Sequence, residues 1–159
     1  MQTGKSLEQK IQFTAKQKQK FSTIKIAIIL PYFNDEMGME LFENTKKTLL
    51  ENGVPQKNIN LIRVAGALEI PFACKKALAK KPQAIIALGI VIRGETSHYE
   101  LVTENCYQGL MQLQLTQTTP MIFGIQTCEN IKQAQARITE KGLNKGKEAA
   151  LSALLQTTL

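Results

Sequence analysis

The chain has 159 residues, 43% of them hydrophobic, and a formal net charge of +7, a size typical of one domain with its own hydrophobic core. No apolar run approaches the roughly 20 residues that cross a bilayer, and no hydrophobic secretory signal opens the chain, so we do not expect a membrane protein. The three cysteines form no CxxC pair, which argues against a disulfide framework or a zinc site and favours a cytoplasmic protein.

The excess positive charge is concentrated at the start of the chain. In residues 1–23, five lysines face a single acidic residue, Glu8, and apolar residues are few. This composition predicts a flexible, solvated basic tail, residues 1–23, ahead of an α/β domain, residues 24–159. The remainder is only mildly basic and has no interleaved aromatics on which bases could stack. We therefore do not expect nucleic acid to be the main partner, although binding through the tail stays open as a competing hypothesis.

The rest of the chain alternates between short apolar runs and amphipathic segments with helical spacing. Predicted strands are residues 24–30, 58–64, 84–92 and 121–127, and predicted helices are residues 36–52, 70–82, a segment beginning at 97, 129–138 and 148–159. Ser97 followed by Glu100 predicts a capping box at the third of these helices, and the spacing places Leu101 on its buried face.

Four strands that alternate with helices predict a three-layer α/β/α sandwich around a four-stranded parallel sheet. Ligands of such sheets bind beyond the carboxyl ends of the strands. This rule selects the residues that follow each strand, which are Phe33 and Asn34, residues 66–69, residues 93–98 and Thr127.

The loop RGETS, residues 93–97, leads from the third strand into a helix. Unpaired backbone N–H groups and the positive end of the helix dipole favour an anion there. The loop therefore predicts either a phosphate or carboxylate site or an ordinary capped helix. His98, the only histidine, lies in the first helical turn, where the dipole opposes protonation and a neutral imidazole is available to accept a proton.

Three further side chains each have two interpretations. Phe33 either stacks on a flat heterocycle or packs over the core. Glu69 either accepts hydrogen bonds from a ligand or occupies an N-cap. Arg137 lies two turns into the fourth helix of the α/β domain, too far along for the pocket of its own subunit, so it is either a surface residue or is donated to a neighbour.

Sequence fingerprints of cofactor binding are absent. The chain contains neither GxGxxG after the first strand nor GxxxxGK[ST], and no metal-ligand spacing. The residues by themselves therefore predict a cofactor-free α/β enzyme that binds a small anionic substrate and uses His98 as acid and base.

The motifs ALGIVIRGETSHYELV, GALEIP, the Phe33-Asn34 pair and PMIFGIQTCENIKQAQAR occur in one ordered set. From about residue 24 to the carboxyl terminus, this set resembles the 6,7-dimethyl-8-ribityllumazine synthase family. The resemblance implies a flavodoxin-like, doubly wound fold. It also implies the condensation of 5-amino-6-ribitylaminouracil with 3,4-dihydroxy-2-butanone 4-phosphate, the penultimate step of riboflavin biosynthesis, with no cofactor.

The resemblance also implies roles for individual residues. Phe33 is expected to stack on the pyrimidine ring, His98 to transfer protons, and Arg137 to reach the phosphate from an adjacent subunit. The further substrate-binding residues that it implies are Asn34, Ala67, Leu68, Glu69, Ile90, Val91, Ile92, Glu95, Thr96 and Phe123, the last also from the neighbour. We therefore expect a homo-oligomer, a pentamer or a multiple of one, with sites at subunit interfaces, and association with riboflavin synthase is compatible with this picture.

Some positions depart from the family pattern. Pro31-Tyr32 stand where many relatives carry an arginine, and Leu68 replaces a common aromatic, so we expect a pocket wall of different shape. Ile138-Thr139 replace an alanine-glycine pair after the arginine, which leaves pentamer, decamer and sixty-subunit shell open. The alternative function is a catalytically silent ligand-binding or shell-forming scaffold of the same fold.

Overall fold

The computed structural model describes residues 6–159, and within this range four strands form a parallel sheet in the order β2-β1-β3-β4. The strands are β1 (Ile26–Pro31), β2 (Ile59–Val64), β3 (Ala84–Ile92) and β4 (Met121–Cys128). The helices of the same range are α1 (Leu7–Lys10), α2 (Ala15–Phe21), α3 (Asp35–Glu51), α4 (Ile70–Ala77), α5 (His98–Thr116), α6 (Ile131–Ile138) and α7 (Lys145–Gln156).

Helices cover both faces of the sheet, because alternate residues of a strand point to opposite sides. Ile28 and Leu30 of β1 pack into a core that α3, α6 and α7 complete. Ala27 and Ile29 of the same strand pack into a second core with α4 and α5. Every residue of β1 is buried, as expected for a central parallel strand. The predicted three-layer, doubly wound α/β sandwich is confirmed.

The strand order creates a crevice between β1 and β3. The helix that follows β1 lies on one face and the helix that follows β3 lies on the other, so the connections diverge at this point. Pairing of β1 with β3 ends at Ile29 and Ala87, whereas pairing of β1 with β2 continues to Pro31 and Val64. A crevice at such a switch point is the usual ligand site of open α/β sheets.

The element boundaries follow the predicted ones with small shifts. Strand β1 begins at Ile26, two residues later than predicted, and Pro31 belongs to it. A proline is tolerated there because β1 no longer pairs with β3 beyond Ile29 and requires no ladder N–H on that side. Helix α7 begins at Lys145, where the Asn144 side chain caps it, three residues before the predicted start.

Two expectations for α5 are wrong in the single chain. The Ser97 side chain makes no capping hydrogen bond, and Glu100 forms an ion pair with Arg93 rather than reaching back to the helix start. Leu101, predicted to be buried, is 57% exposed. The apolar pattern of α5 therefore includes positions that its own chain does not cover.

Part of the predicted basic tail packs against the domain. Residues 1–5 of that segment lie outside the described residues, but α1 and α2 belong to it. Phe21 is 2% exposed and joins the core, and the Phe13 ring meets it edge-on with centroids 5.0 Å apart. Glu8 forms an ion pair with Lys147. Two aromatic side chains thus anchor a lysine-rich segment, while its flexibility and a domain boundary at residue 24 stay predictions.

Two further features of the structure concern membrane-spanning helices and the state of the cysteines. No helix in residues 6–159 is long and apolar enough to cross a membrane. The cysteines Cys74, Cys106 and Cys128 are buried free thiols. Burial raises the pKa of the Cys74 thiol to about 12 and that of Cys106 to about 11, so neither is a reactive thiolate near neutral pH.

Candidate active site

A cavity of about 320 Å³ lies at the carboxyl ends of β1 and β3, where the two strands diverge. Its walls come from the loops after β1 and β2, the end of β3 and the first turns of α5. The lining residues are Pro31, Phe33, Asn34, Gly66, Ala67, Leu68, Glu69, Ile90, Val91, Ile92, His98 and Val102. Most of the predicted site residues therefore lie around one cavity, although they come from distant parts of the sequence.

Phe33 is 73% exposed and stands at the edge of the cavity. Its ring lies close over the backbone of Gly66, since a Cβ atom at that glycine would approach Phe33 Cδ2 to 3.3 Å and Glu69 Oε2 to 3.2 Å. The ring is not packed in the core, which was one of its two interpretations. The Cδ2 and Cε2 atoms of the ring lie next to Gly66, and the exposed side chain is accessible to a flat ligand.

Asn34 connects two walls of the cavity. Its backbone adopts the left-handed conformation with φ of 57°, which asparagine tolerates better than most residues. Its side-chain Nδ2 donates to the carbonyl oxygen of Ile90 at 2.9 Å. This bond joins the loop after β1 to the end of β3 across the crevice and holds the two walls at a fixed distance.

Glu69 occupies the N-cap position that one of its interpretations predicts, while ligand binding stays a prediction. Its Oε2 atom accepts a hydrogen bond from the Gly66 N–H at 2.8 Å, and the residue precedes α4 in the N-cap position. The side chain also lines the cavity and is exposed. A carboxylate has two oxygens, so one holds the turn of residues 66–69 while the other is available to a ligand.

His98 is the first residue of α5 and lines the cavity with an exposed side chain. Its backbone N–H is bonded to Thr96 Oγ1 at 3.3 Å, so the Thr96 hydroxyl closes the turn that leads into the helix. Glu95 and Thr96 are exposed on this turn and do not line the cavity itself. They flank it at the helix N-terminus, where a phosphate is favoured.

Arg93 anchors the loop before α5. Its guanidinium bonds to Glu129 at 2.7 Å and to Glu100, and it stacks over the Tyr99 ring at 4.2 Å. Hydrogen bonds to Glu100 and Glu129 raise the pKa of Arg93, and the Arg93 hydrogen bond lowers the pKa of Glu100. Two carboxylates already neutralise this cation, so it fixes the loop rather than providing free charge for an anion.

Phe123 and Arg137 lie outside the cavity. Phe123, on β4, packs edge-to-face against Tyr107 with ring centroids 5.6 Å apart. Arg137 lies near the end of α6. Burial raises the pKa of the Cys128 thiol, and the charge of Arg137 partly offsets this rise. Among the described residues, the cavity lining thus combines an aromatic ring, a carboxylate and an imidazole but includes no lysine or arginine.

Sequence reasoning selected Gly66 among residues 66–69 and named Pro31 as a departure that changes the pocket wall, but it missed Val102 as a member of the cavity wall. Val102 follows His98 by four residues on α5, and helical spacing could have found it because such positions lie on one face. The contribution of Gly66 depends on the Phe33 ring, 33 positions earlier, and no local pattern indicates that contact.

A larger cavity of about 600 Å³ lies between α1, α3, α7 and the connection before α7. It contains none of the predicted site residues. Its charged groups are largely paired with one another, as in Lys47 with Glu140 at 2.5 Å and Lys147 with Glu8. Among residues 6–159, no group of three or more histidine, cysteine or acidic side chains is placed to hold a metal ion. We therefore assign the candidate site to the smaller cavity.

A doubly wound α/β fold with an aromatic ring, a carboxylate and a histidine around one switch-point cavity defines the class: an α/β enzyme that acts on a small, flat, polar substrate. The sequence profile described as 6,7-dimethyl-8-ribityllumazine synthase matches residues 23–159. The chain is also 41% identical over 131 residues to the 6,7-dimethyl-8-ribityllumazine synthase of Leuconostoc mesenteroides subsp. mesenteroides, across 82% of this chain and 84% of that relative. The chain belongs to the 6,7-dimethyl-8-ribityllumazine synthase family, and the predicted resemblance is confirmed.

Proposed function

We propose that this protein condenses 5-amino-6-ribitylaminouracil with 3,4-dihydroxy-2-butanone 4-phosphate to give 6,7-dimethyl-8-ribityllumazine, phosphate and water. The observation that carries the proposal is the single cavity around Phe33, Glu69 and His98 in a chain of this family. The reaction is the penultimate step of riboflavin biosynthesis. The role of each residue comes from the family resemblance, and the position of these side chains around one cavity supports it.

The pyrimidine lies against Phe33. The exposed ring, backed by the Gly66 turn, presents a flat apolar surface for stacking. The carboxylate of Glu69 accepts hydrogen bonds from the ribityl hydroxyls or the ring N–H groups. Ala67, Leu68 and the backbone of residues 90–92 form the remaining walls. Because Asn34 ties two of these walls together, little ordering is required when the substrate binds.

His98 transfers protons during the condensation. The substrate amine attacks the ketone carbon, and water leaves as the imine forms. Loss of a carbon-bound proton then expels phosphate with its C–O bonding electrons, and ring closure releases a second water. A single imidazole at the cavity edge can accept and return these protons. Glu95, Thr96 and the helix N-terminus stabilise the departing phosphate.

A neighbouring subunit completes the site with Phe123 and Arg137. The absence of a lysine or arginine from the cavity lining of the described chain supports this part of the proposal, because a phosphate site normally contains a cation. Exposed apolar side chains on α4 and α5 also support a subunit interface on these two helices. They are Phe72, Leu101, Met111 and Leu115, which are 68%, 57%, 46% and 79% exposed. We propose a pentamer or a multiple of pentamers.

The same proposal places the enzyme in the cytoplasm and allows it to associate with riboflavin synthase, which acts on the lumazine product. Free cysteine thiols are typical of a reducing compartment. Co-sedimentation of the two purified enzymes tests the association directly.

The activity is tested by mixing the purified oligomer with both substrates. We expect a fluorescent lumazine and one equivalent of inorganic phosphate for each product molecule. An oligomer that binds the ribitylaminouracil but releases neither lumazine nor phosphate would refute the proposed reaction.

A further inference from the structure

The Arg63 side chain lies behind the loop that carries Phe33, outside the cavity lining. It projects from β2, is 19% exposed, and reaches the end of the adjacent strand β1. The residue register aligns Arg63 with Leu30. Leu30 is the first residue of β1 that no longer pairs with β3.

The guanidinium contacts the loop on several sides at once. Its Nε donates to the Leu30 carbonyl at 3.1 Å, and Nη2 donates to the Pro31 carbonyl at 3.1 Å. Nη2 also forms an ion pair with Asp35. The guanidinium carbon lies 4.1 Å from the centroid of the Tyr32 ring. Every residue from 30 to 35 except Phe33 and Asn34 therefore contacts this one side chain.

We propose that Arg63 is the positioning residue for the pyrimidine-binding half of the site. It holds residues 30–32 and Asp35, so that the two residues between them, Phe33 and Asn34, can only face the cavity. This inference rests on the proposed stacking role of Phe33. Arg63 itself lines no part of the cavity.

The physical reason is the exposure of the loop. Tyr32 and Phe33 are 59% and 73% exposed, so burial alone does not fix their side chains. A loop that is ordered only when substrate arrives weakens binding by the cost of its ordering. The planar guanidinium removes that cost because it satisfies carbonyls and a carboxylate while one of its faces stacks on an aromatic ring, a geometry that lysine cannot reproduce.

The test measures the affinity for 5-amino-6-ribitylaminouracil and the KM of both substrates in variants of the full-length oligomer. We expect Arg63→Gln and Arg63→Lys each to weaken pyrimidine binding by about tenfold, with the KM of the butanone phosphate unchanged. Tyr32→Ala, at an exposed position, is expected to cause a smaller loss and to be non-additive with Arg63→Gln. This second variant keeps the test decisive if the arginine variants fold poorly.

Lys46→Gln is the matched control. Like Arg63, Lys46 lies over an aromatic ring, that of Phe42 at 5.8 Å, and forms an ion pair with a carboxylate, that of Glu43. Lys46 is on α3 and does not line the cavity. We expect wild-type affinity for this variant. Wild-type affinity in Arg63→Lys, or equal losses for both substrates in Arg63→Gln, would overturn the inference.

Phe33→Ala separates this inference from the function on which it rests. If Phe33→Ala weakens pyrimidine binding while Arg63→Gln and Tyr32→Ala do not, the positioning role of Arg63 is wrong and the proposed site stands. If Phe33→Ala itself leaves pyrimidine affinity unchanged, the proposed stacking role is wrong, and the positioning role of Arg63 falls with it.

Discussion

His98 is the first residue of α5 and lines the cavity. Its side chain is exposed, and its backbone N–H donates to the Thr96 hydroxyl. The side chain touches no core, so its removal should affect chemistry more than folding. Its position at a helix start was evident in the sequence from the order of strand, turn and helical pattern. The strand-end rule predicted that His98 lies at the same edge of the sheet as Phe33 and Glu69, and the structure shows all three around one cavity.

For His98→Ala we expect kcat to fall by about a hundredfold, the lower range for loss of a general acid or base. The KM of the pyrimidine should change little, because Phe33 and Glu69 are untouched. Steady-state kinetics measure both values, and light scattering verifies that the oligomer remains assembled. An assembled variant with unchanged kcat would reject the proton-transfer role.

Arg137 lies near the end of α6 and does not line the cavity of its own chain. The proposal therefore assigns it to the cavity of a neighbouring subunit. For Arg137→Ala we expect the KM of the butanone phosphate to rise by about ten- to hundredfold, as for lost hydrogen bonds to a charged group. The pyrimidine affinity should be unchanged.

Lys132→Gln on the same helix removes an equal charge and provides the control for Arg137→Ala. Lys132 is exposed in the first turn of α6, and we expect its KM values to equal those of the wild type. If the two variants behave alike, or if Arg137→Ala weakens both substrates equally, Arg137 does not recognise the phosphate.

At the scale of elements, the sheet and its main helices followed from the sequence because their patterns are local. The β-branched run of β3 and the apolar spacing of α3 each indicate an element without reference to distant residues. The contacts that build the cavity are different. The bond from Asn34 to Ile90 joins positions 56 residues apart, and no periodicity within either segment indicates it.

The failed prediction of a capping box at α5 has a physical cause at the scale of elements. The predicted capping box failed because Glu100 has a stronger partner in Arg93, a charge. In the capping box, an ion pair with a residue seven positions earlier outweighs the local helix-start pattern. The lysine-rich start of the chain was predicted to be a flexible, solvated tail, and this stays a prediction, although Phe21 and Phe13 of that segment pack at the core.

Gly66, in the turn between β2 and α4, provides a test of whether this turn supports the Phe33 ring. A Cβ atom at Gly66 would lie 3.2 Å from Glu69 Oε2 and 3.3 Å from the Phe33 ring, so both must shift in Gly66→Ala. We expect pyrimidine affinity to fall by about three- to tenfold, with a stability loss of about 1 kcal/mol for the crowding. Calorimetric titration and thermal unfolding measure the two effects.

Gly89→Ala is the companion variant for Gly66→Ala. A Cβ atom at Gly89 would meet its nearest neighbours, carbons of Pro31, at 3.6 Å, which is ordinary contact. We expect its pyrimidine affinity to match that of the wild type. The support assigned to the Gly66 turn is wrong if Gly66→Ala binds the pyrimidine as tightly as Gly89→Ala does.

At the scale of the whole molecule, the proposed function implies that one chain provides only part of the site. Phe33, Glu69 and His98, to which the proposal gives ring binding and proton transfer, line the cavity, whereas Arg137 lies outside it. Apolar side chains of α4 and α5 are exposed, although the sequence pattern of α5 predicted burial for Leu101. Both facts have one explanation if adjacent subunits in a ring complete each other.

The most direct test of this account mixes two impaired variants, His98→Ala and Arg137→Ala, after dissociation and reassembly into joint oligomers, and assays them at a butanone phosphate concentration far below the KM of either protein. Each variant lacks a different half of a shared site. In a ring with head-to-tail interfaces and random mixing, about a quarter of the sites combine an intact His98 with a neighbour's intact Arg137. We predict recovery of about a quarter of the activity of wild-type protein reassembled in the same way. Activity that stays at the level of the separate variants would contradict a site shared between subunits.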